Sequence, residues 1–377
     1  MANLILVTDV QYRKEFDNVS IIKKFFPNEH LILGTTKGSL FCRLAYGRCS
    51  VEKLRTEEGK DSLFQDLKIL LEKYNGDRII YVPGEEQTTD YVVEFMEQYG
   101  QGNIVSLLPP ASLYKLFRNK RTLNHYCIEN GFPAPKEYKV EDLPAIDYPV
   151  LLKPEIGSGS HGQYRLYKKE DYTEEVKTTL GKEPYLIQEL LPNGKEVQGG
   201  FFLCHKGKVI GAYTHKRIRT SPEEGGVTVL SSLNDNPQLI NQGIQLLEYA
   251  GWEGLVMLEY IYDDRSGEYK LIEANPRIWG SIMLSEYSGA NLLSNYIRIC
   301  LGQPIEKPMM KDEAYIRWFF PVDLLNWIKK KGKIKGFWNF KKTCVINWTY
   351  ARKDRALMFF LMSIFNLHNL KNLFGRS

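Results

Sequence analysis

One stretch of the chain, residues 255–281, constrains the fold more than any other. It reads LVMLEYIYDDRSGEYKLIEANPRIWGS, with two apolar runs rich in β-branched and aromatic residues, Leu255–Tyr262 and Tyr269–Ala274. The residues between them, Asp263 to Glu268, have the composition of a turn. The pattern predicts an antiparallel β-hairpin.

The predicted hairpin brings two carboxylates together. If the turn is centred near Ser266, Glu259 lies opposite Glu273, and Asn275 shares their face. The other side chains near Glu259 on that face are apolar, so the two carboxylates would repel each other where desolvation is costly. A bound cation removes both problems, and oxygen ligands suit Mg²⁺ or Mn²⁺. We therefore predict a metal site at Glu259, Glu273 and Asn275; the alternative is an exposed hairpin with scattered acidic residues.

The composition excludes several classes of protein. The chain has 377 residues, which predicts two to three domains, and its net charge of +5 does not require a nucleic-acid partner. The six cysteines form no CxxC pair, which is typical of reduced thiols in a cytoplasmic protein. The start, MANLILVTDV, lacks the positive segment of a signal peptide, and no apolar run approaches the roughly 20 residues that span a bilayer.

Residues 1–108 predict a small α/β domain. Apolar strands at Asn3–Asp9, His30–Gly34 and Arg78–Val82 alternate with helical patterns, which predicts a doubly wound parallel sheet. No GxGxxG motif follows the first strand, which argues against a dinucleotide site. Ligands of such sheets bind beyond the carboxyl ends of the strands. The candidates for a second-substrate site there, otherwise ordinary loop residues, are Thr8, Asp9, Pro83, Gly84 and Glu85.

Two lysines and a glycine-rich loop are candidates for binding phosphates. A helix predicted from Ser112 to Asn130 contains Lys120, and a short strand beginning at Val150 carries Lys153 near its end. A glycine-rich loop follows, and its backbone N–H groups can fold over phosphates while Lys153 supplies a point charge. The loop is not a Walker A motif, and a plain flexible turn is the alternative. Its candidate residues are Gly157, Ser158, Gly159, Ser160 and Gly162.

The next strand, Tyr185–Leu191, has a polar break and is a candidate for holding a nucleotide base and ribose. Apolar side chains at the end of the strand suit a flat base, and nearby carboxylates suit ribose hydroxyls; the alternative is a plain strand and turn. The residues concerned are Gln188, Glu189, Leu190, Leu191 and Glu196. Further on, Arg219 precedes a Gly-Gly pair and suits an anionic substrate, although a surface charge explains it equally well.

These pieces together resemble the ATP-grasp superfamily, the ATP-dependent carboxylate–amine or carboxylate–thiol ligases, over about residues 105–310. The strongest part is Glu259 followed by Glu273-Ala274-Asn275-Pro276-Arg277, which is similar to the metal-binding glutamate and the E-x-N-x-R run of that family. Within the superfamily the chain is most similar to predicted carboligases close to carbamoyl-phosphate-synthase-type grasps.

The resemblance implies a fold of mixed α/β and α+β class. A Rossmann-like pre-ATP-grasp domain would occupy residues 1–108, followed by two ATP-grasp subdomains at 109–187 and 188–310. A C-terminal appendage would occupy residues 311–377.

The resemblance also implies ATP and Mg²⁺ (or Mn²⁺) as cofactors. Glu259, Glu273 and Asn275 would hold the metal, Lys120 and Lys153 would contact the phosphates, and the 157–162 loop would be a lid. Glu189 would meet adenine and Glu196 the ribose. Arg277 would stabilise the transferring phosphoryl group or the acyl phosphate, with Arg219 as a second catalytic candidate.

The implied activity is a ligase that joins a small carboxylate to an amine. Its partners would be those two small molecules, and neither a nucleic acid nor a membrane is expected; a homodimer is one arrangement of such a chain. The alternatives are an ATP-grasp kinase, or a non-catalytic ATP-binding protein whose tail recruits a membrane or a partner.

The tail, residues 311–377, has two unusual features. Seven lysines fall between Lys329 and Lys342, interleaved with Phe337, Trp338 and Phe340, and the run Leu357–Phe365 is apolar almost all round. We predict a helical appendage packed on the grasp domain or on a second subunit. The alternative is a face for a membrane surface or a nucleic acid.

Overall fold

The structure is a computed structural model of the chain. It describes residues 2–146, 148–157, 162–192, 196–221, 227–340, 344–346 and 349–365. The chain forms two compact units. One is the continuous segment Ser112–Pro276, and the other combines Met1–Ala111 with Arg277–Ser377.

The N-terminal segment alternates strands and helices, as predicted. A short 3₁₀ turn at Thr56–Glu58 precedes the third helix. The elements are β1 Asn3–Val7, α1 Arg13–Phe25, β2 His30–Thr35, α2 Ser39–Tyr46, β3 Ser50–Lys53, α3 Lys60–Lys73, β4 Arg78–Val82, α4 Glu86–Tyr99 and β5 Ile104–Val105.

The five strands form one parallel sheet in the order β3-β2-β1-β4-β5. The prediction of a doubly wound parallel sheet is confirmed. Strands β1 and β4 are apolar almost throughout because both faces of a parallel sheet are covered. The strand order reverses between β1 and β4, where Val7 pairs with Val82. The carboxyl ends of these two strands therefore form the switch point at which ligands of such sheets bind.

The second unit holds two antiparallel sheets and the helices that cover them. Short 3₁₀ turns occur at Val140–Asp142 and Lys169–Asp171. The elements are α5 Ala111–Arg118, α6 Lys120–Glu129, β6 Glu137–Tyr138, β7 Val150–Pro154, β8 Tyr164–Leu166, α7 Glu174–Leu180, β9 Tyr185–Glu189, β10 Gln198–His205, β11 Lys208–Ser221, β12 Val227–Leu233, α8 Pro237–Ala250, β13 Gly254–Asp263 and β14 Glu268–Asn275.

The smaller sheet has the order β6-β9-β7-β8, and the strands of the larger one run β14-β13-β10-β11-β12 within this unit. The core under the larger sheet contains Phe117, Phe202 and Trp252, all fully buried. The Phe117 and Trp252 rings lie 4.7 Å apart, which fixes α5 against the turn that follows α8. A separate core around Val150 and Ile187 holds the smaller sheet.

The helix predicted from Ser112 to Asn130 is interrupted at Asn119. The backbone of Asn119 is extended, and its side-chain oxygen accepts hydrogen bonds from the backbone N–H groups of Arg121 (2.8 Å) and Thr122 (3.1 Å). Asn119 is therefore the N-cap of α6, a role for which asparagine is strongly preferred. The break makes Lys120 the first residue of a helix rather than a mid-helix residue.

The C-terminal segment returns to the first unit. A kinked helical turn at Phe319–Asp323 precedes the third of its helices. The elements are α9 Ile282–Ser288, α10 Leu292–Leu301, β15 Tyr315–Arg317, α11 Leu324–Lys329, β16 Cys344–Ile346 and α12 Lys353–Phe365. Compactness thus groups residues 277–310, predicted as part of the grasp subdomain, with the N-terminal sheet; the four-part division of the chain stays a prediction.

The predicted helical appendage is present as α12, and it packs on the N-terminal α/β segment. The ring of Phe359 stacks on that of Phe16 with centroids 4.5 Å apart. Arg355 Nη1 donates to the last carbonyls of α2, those of Arg43 (2.7 Å) and Leu44 (3.0 Å). The prediction that the appendage covers the grasp domain is therefore wrong for α12, because its aromatic partners include Phe16 on α1, Phe41 and Tyr46 on α2 and Phe320 in the kinked turn.

The basic and aromatic part of the tail is different. Trp338 and Phe340 are 59% and 45% exposed, and Lys331, Lys333 and Lys335 are exposed beside them. A membrane-surface or nucleic-acid role for this face stays a prediction. Among the helices of the described residues, none combines the length and the apolar character that spanning a bilayer requires.

Candidate active site

The register of the β13–β14 hairpin decides which side chains share a face. Glu259 pairs with Glu273 and Met257 with Asn275, so the predicted juxtaposition of the two carboxylates is confirmed. The turn is tighter than predicted, since Asp263 pairs with Glu268. A regular hairpin with that turn would place Ile272 opposite Glu259.

A β-bulge corrects the register. The pairing shifts between Glu259 and Tyr260, and Ile272 is the additional residue. Because side chains alternate with period two, this single residue keeps Glu273 and Asn275 on the face of Glu259. The predicted pairing is therefore correct, although the physical reason for it includes a bulge that the sequence did not reveal.

The same row of residues continues across the sheet. Gly199 of β10 pairs with Glu259 on one side and with His215 of β11 on the other, which puts all three on one face. A Cβ at Gly199 would lie 2.7 Å from the Phe201 ring and 3.1 Å from His215. His215 is buried, and burial lowers its pKa to about 3, so the imidazole is neutral at physiological pH.

Each carboxylate of the pair has a cation beside it. Lys120 Nζ lies 3.4 Å from Glu273 Oε1, and Arg217 Nη2 lies 3.2 Å from Glu259 Oε1. The two carboxylate side chains are 18% and 15% exposed, respectively. Lys120 and Arg217 thus relieve the repulsion between the two carboxylates. The pair does not by itself require a metal, contrary to the argument made from the sequence.

The donor set nevertheless fits a magnesium ion. Within the described ranges, no group of three or more His, Cys, Asp or Glu side chains is placed to hold a metal. Mg²⁺ in nucleotide sites is commonly held by one or two carboxylates, with phosphates and water completing the octahedron. Glu259, Glu273 and the buried Asn275 are such a set.

Lys153 lies on the facing sheet, near the end of β7, and is 3% exposed. Its Nζ donates to the Ile272 carbonyl at 2.7 Å, the carbonyl of the bulged residue. Burial lowers the pKa of Lys153 to about 8; Glu273 opposes this shift and Lys120 adds to it. Lys120 Nζ also donates to Gly157 O at 2.6 Å. Both lysines therefore converge on Glu273 from the side of the glycine-rich loop.

The glycine-rich loop joins the paired strands β7 and β8, as predicted. Ser158, Gly159, Ser160 and His161 lie outside the described residues. Gly157 and Gly162 flank them with φ of 147° and 69°, conformations that L side chains rarely adopt. The described ends of the loop are thus glycines, and the Gly157 carbonyl accepts from Lys120.

The predicted base and ribose residues are placed unequally. The Glu189 carboxylate accepts from Lys270 Nζ (2.7 Å), Arg265 Nη2 (2.5 Å) and the Lys136 N–H (2.9 Å). Burial raises the pKa of Glu189, but these contacts outweigh it and the pKa lies below its ordinary value. Gln188 and Leu191 are buried, Leu190 is half-buried, and Glu196 is exposed. The carboxylate of Glu189 is thus held within the protein, and its backbone N–H donates to the Lys136 carbonyl at 2.9 Å.

The two predicted arginines lie in different units. Arg277 is the first residue of the returning segment, and its Nη2 lies 3.1 Å from Glu86 Oε2 at the start of α4. Arg219 is half-buried on β11, where it pairs with Leu230. The arginine beside Glu259 is Arg217, which sequence reasoning missed. The period-two alternation from His215 to Arg217 was the signal that would have found it.

Solved structures share this architecture. The biotin carboxylase of Campylobacter jejuni, solved as its β,γ-ATP complex, superposes with a TM-score of 0.67 and 16% identity, over 83% of this chain and 74% of that one. The L-amino acid ligase of Bacillus licheniformis superposes with a TM-score of 0.62 and 15% identity, over 84% of this chain and 79% of that one. The fold is therefore the ATP-grasp fold, as predicted.

Sequence comparisons give a more specific similarity than the shared fold does. Residues 182–319 match the family described as ATP-grasp in the biosynthetic pathway with Ter operon. The C-terminal section of the carbamoyl phosphate synthase large chain from Methanopyrus kandleri is 27% identical over 195 residues, 49% of this chain and 36% of that protein. This chain thus spans about a third of the length of that curated relative. The chain thus has the ATP-grasp fold and matches an ATP-grasp family over residues 182–319, and the resemblance read from the Glu273–Arg277 run is confirmed.

The lowered pKa of Lys153 leads to a testable pH dependence. Between about 8 and the ordinary value of 10.5 the ligand-free lysine is neutral in the folded protein, and nearby phosphates would protonate it. We expect binding of a non-hydrolysable ATP analogue to take up a proton in this window and to weaken as the pH rises through it. Calorimetric titration in two buffers of different ionisation enthalpy measures the uptake, and Lys153→Met is expected to abolish it. Equal heats in both buffers would contradict the assignment.

The same shift affects stability without ligand. In this window the unfolded chain binds more protons at Lys153 than the folded chain does, so the contribution of this group to the free energy of unfolding rises with pH.

Proposed function

We propose that the protein is an ATP- and Mg²⁺-dependent ligase that activates a small carboxylate as an acyl phosphate and joins it to an amine. The observation that carries the proposal is the convergence of Lys120 and Lys153 on Glu273, beside Glu259 and Asn275. Cations for phosphates and oxygen ligands for a divalent metal thus meet at one place in the second unit.

The chemistry explains why these groups are needed. A carboxylate is a poor electrophile because its leaving group would be oxide. Transfer of the γ-phosphoryl group to a carboxylate oxygen releases ADP and forms an acyl phosphate, and attack by a neutral amine then expels inorganic phosphate. The protein must neutralise charge on the phosphates and hold the reactants in line.

The residues of the chain divide this work. Lys120 and Lys153 would exchange their contacts with Glu273 and the Ile272 carbonyl for phosphate oxygens. The carboxylates of Glu273 and Glu259, with the Asn275 amide, would hold the metal ion, which neutralises phosphate charge when bound. Arg277 is the proposed partner of the transferring phosphoryl group or the acyl phosphate, and Arg217 is a better candidate than Arg219 for positioning Glu259.

The relatives support a ligase over a kinase. One solved relative is named as an L-amino acid ligase and another, from Thermus thermophilus, as N5-carboxyaminoimidazole ribonucleotide synthetase. The latter superposes with a TM-score of 0.61. These two relatives support the class of reaction. For the substrates of this chain we propose only a small carboxylate and an amine.

The first test is thermal unfolding with and without MgATP. At about 100 times its dissociation constant, a ligand that binds only the folded state stabilises it by roughly 2.7 kcal/mol. We expect an upward shift of the midpoint that EDTA reverses. A folded protein whose midpoint does not move would exclude the nucleotide site.

Product analysis separates the alternatives. Release of ADP that depends on both a carboxylate and an amine, with an amide as product, is the result expected of the ligase. A stable phosphorylated compound formed without the amine would identify a kinase. MgATP binding with no substrate-dependent ADP release from panels of carboxylates and amines would favour a non-catalytic ATP-binding protein.

A further inference from the structure

The switch point of the N-terminal sheet holds a backbone conformation that needs an explanation. Asp9, two residues beyond the end of β1, has φ of 56° and is 2% exposed. Aspartate is one of the few L residues that adopt this left-handed region, and strain of this kind persists where the surrounding structure enforces it. The backbone thus turns the Asp9 side chain away from the course of the strand.

The Asp9 carboxylate is only half satisfied. Thr56 Oγ1 donates to Asp9 Oδ1 at 2.5 Å, and the Thr8 and Thr88 hydroxyls lie close enough to lower the pKa of Asp9. Asp9 Oδ2 is nevertheless buried and accepts no hydrogen bond of ordinary geometry in the described part of the chain. The Thr8 hydroxyl beside it is also buried and, within the same ranges, unpartnered. Leaving a buried polar atom unsatisfied costs free energy, so such atoms call for an explanation.

Further carboxylates surround this position. Tyr12 donates its hydroxyl to Glu57 Oε1 at 2.9 Å. Burial raises the pKa of Tyr12, and the hydrogen bond to Glu57 and the negative charges of Glu57, Asp9 and Glu85 raise it further. The fully buried Glu15 lies close to Gly84, where a Cβ would come within 2.4 Å of its Oε1.

Lys14 and Arg277 bring positive charge to this edge, and both are paired with carboxylates, Arg277 with Glu86 at 3.1 Å. Lys14 Nζ lies 3.1 Å from Glu85 and 3.9 Å from Glu15, and it donates to the Gly84 carbonyl at 2.9 Å. The hydrogen bonds of Asp9 and Glu57 come from neutral groups, the hydroxyls of Thr56 and Tyr12 and the Gln11 amide. Burial raises the pKa of Asp9 and of Glu15, the latter to about 8, as expected where negative charge is not compensated.

The spacing of these carboxylates suits an organic ammonium group better than a metal ion. They do not converge as metal ligands, because across the described residues no three His, Cys, Asp or Glu side chains are placed to hold one metal ion. A primary ammonium group carries three N–H donors in different directions on an organic body. Such a group would supply a donor for the buried, unpartnered oxygen of Asp9, and its charge would be favoured by Glu57 and Glu85 beside the Tyr12 ring.

We propose that the carboxyl edge of β1 and β4, built from Thr8, Asp9, Tyr12, Glu57 and Glu85, binds a primary ammonium group. The inference rests on the proposed function in one respect, that this ammonium belongs to the amine substrate. Binding of the cation itself does not depend on ATP.

A substitution at Asp9 separates this role from a structural one. Asn is nearly isosteric, tolerates the left-handed backbone, and keeps an oxygen to accept from Thr56. If Asp9 only supports the fold, Asp9→Asn lowers the unfolding midpoint of the ligand-free protein. If Asp9 binds a cation, the midpoint stays the same or rises, because a buried charge has been removed.

Binding is tested with the full chain in the absence of ATP. The probes are the α-amides of L-amino acids other than aspartate, glutamate and proline, which carry a primary α-ammonium and no carboxylate, and the controls are the matching N-acetyl amino acid amides. We expect at least one amide to raise the unfolding midpoint while its N-acetyl control does not. We expect Asp9→Asn and the second variant, Glu57→Gln, to weaken its affinity by about tenfold to a hundredfold, the size of a lost charge-assisted hydrogen bond.

Three outcomes would overturn the proposal. These are no response to any amide, equal binding by the wild type and Asp9→Asn, and a lower midpoint for ligand-free Asp9→Asn. The two tests are independent because this one contains no MgATP. Amide binding can be absent from a protein that MgATP stabilises, and it can be present in a protein that MgATP does not stabilise.

Discussion

Replacing Glu273 with glutamine is expected to slow substrate-dependent ADP formation by at least about 100-fold, the usual cost of removing one electrostatic partner of a transition state. The variant loses the charge that faces Lys120 at 3.4 Å and that favours the protonated form of Lys153. It also loses one of the two carboxylates proposed for the metal. Single-turnover measurement of ADP at saturating MgATP checks the prediction, and the MgATP shift in unfolding midpoint is expected to disappear.

Glu268→Gln is the matched control. Glu268 is exposed at the other end of the same strand, so the same change of charge and shape there leaves the site intact. We expect its rate to stay within about twofold of wild type, since surface substitutions of this kind are nearly neutral. Equal rates for Glu273→Gln and wild type would exclude Glu273 from the metal site and, with it, the proposed arrangement of the phosphates.

Replacing Phe359 with alanine is expected to lower the free energy of unfolding by about 3–5 kcal/mol, the range for a large aromatic residue removed from a core. Phe359 is fully buried, and its ring lies 4.5 Å from Phe16 and 6.1 Å from both Phe41 and Tyr46. Chemical denaturation followed by circular dichroism measures the change.

Leu357→Ala, on the same helix, is the comparison. Leu357 is 55% exposed, so its truncation removes little packing and is expected to cost under about 1 kcal/mol. If both variants cost equally little, α12 would not pack as described, and the alternative of a tail that serves a membrane surface would gain support. A large loss at Phe359 alone assigns α12 to the core of the first unit.

Much of the fold could be predicted because buried strands and helix faces have recognisable patterns of apolar residues. Strand Arg78–Val82 lies in a sheet that is covered on both faces and reads as a continuous apolar run, so both its ends were predicted correctly. Strand β1 ends at Val7, two residues before the predicted end, and β2 ends at Thr35, one residue after it. The carboxylates of Glu259 and Glu273 were recognisable because each interrupts such a run. Lys153 was recognisable because it ends one before a glycine-rich loop.

Other features had no local signal. A bulge depends on how two strands meet, so Ile272 looks like any apolar strand residue. The extended backbone of Asn119 divides what the apolar pattern alone shows as one helix, although a side chain that caps a helix was the available clue. The partners of Phe359 are more than 300 residues away in the chain, as Phe16 illustrates, and no pattern within the tail indicates them.

The bulge has a consequence for how this hairpin tolerates change. If the turn lengthened by one residue to take in Glu268, Asp263 would pair with Tyr269, and a regular ladder would still leave Glu259 opposite Glu273. The Ile272 carbonyl would then return to the ladder, and Lys153 would lose the acceptor that holds its ammonium at 2.7 Å. The length of a surface turn thus decides whether a lysine on another sheet has this backbone acceptor.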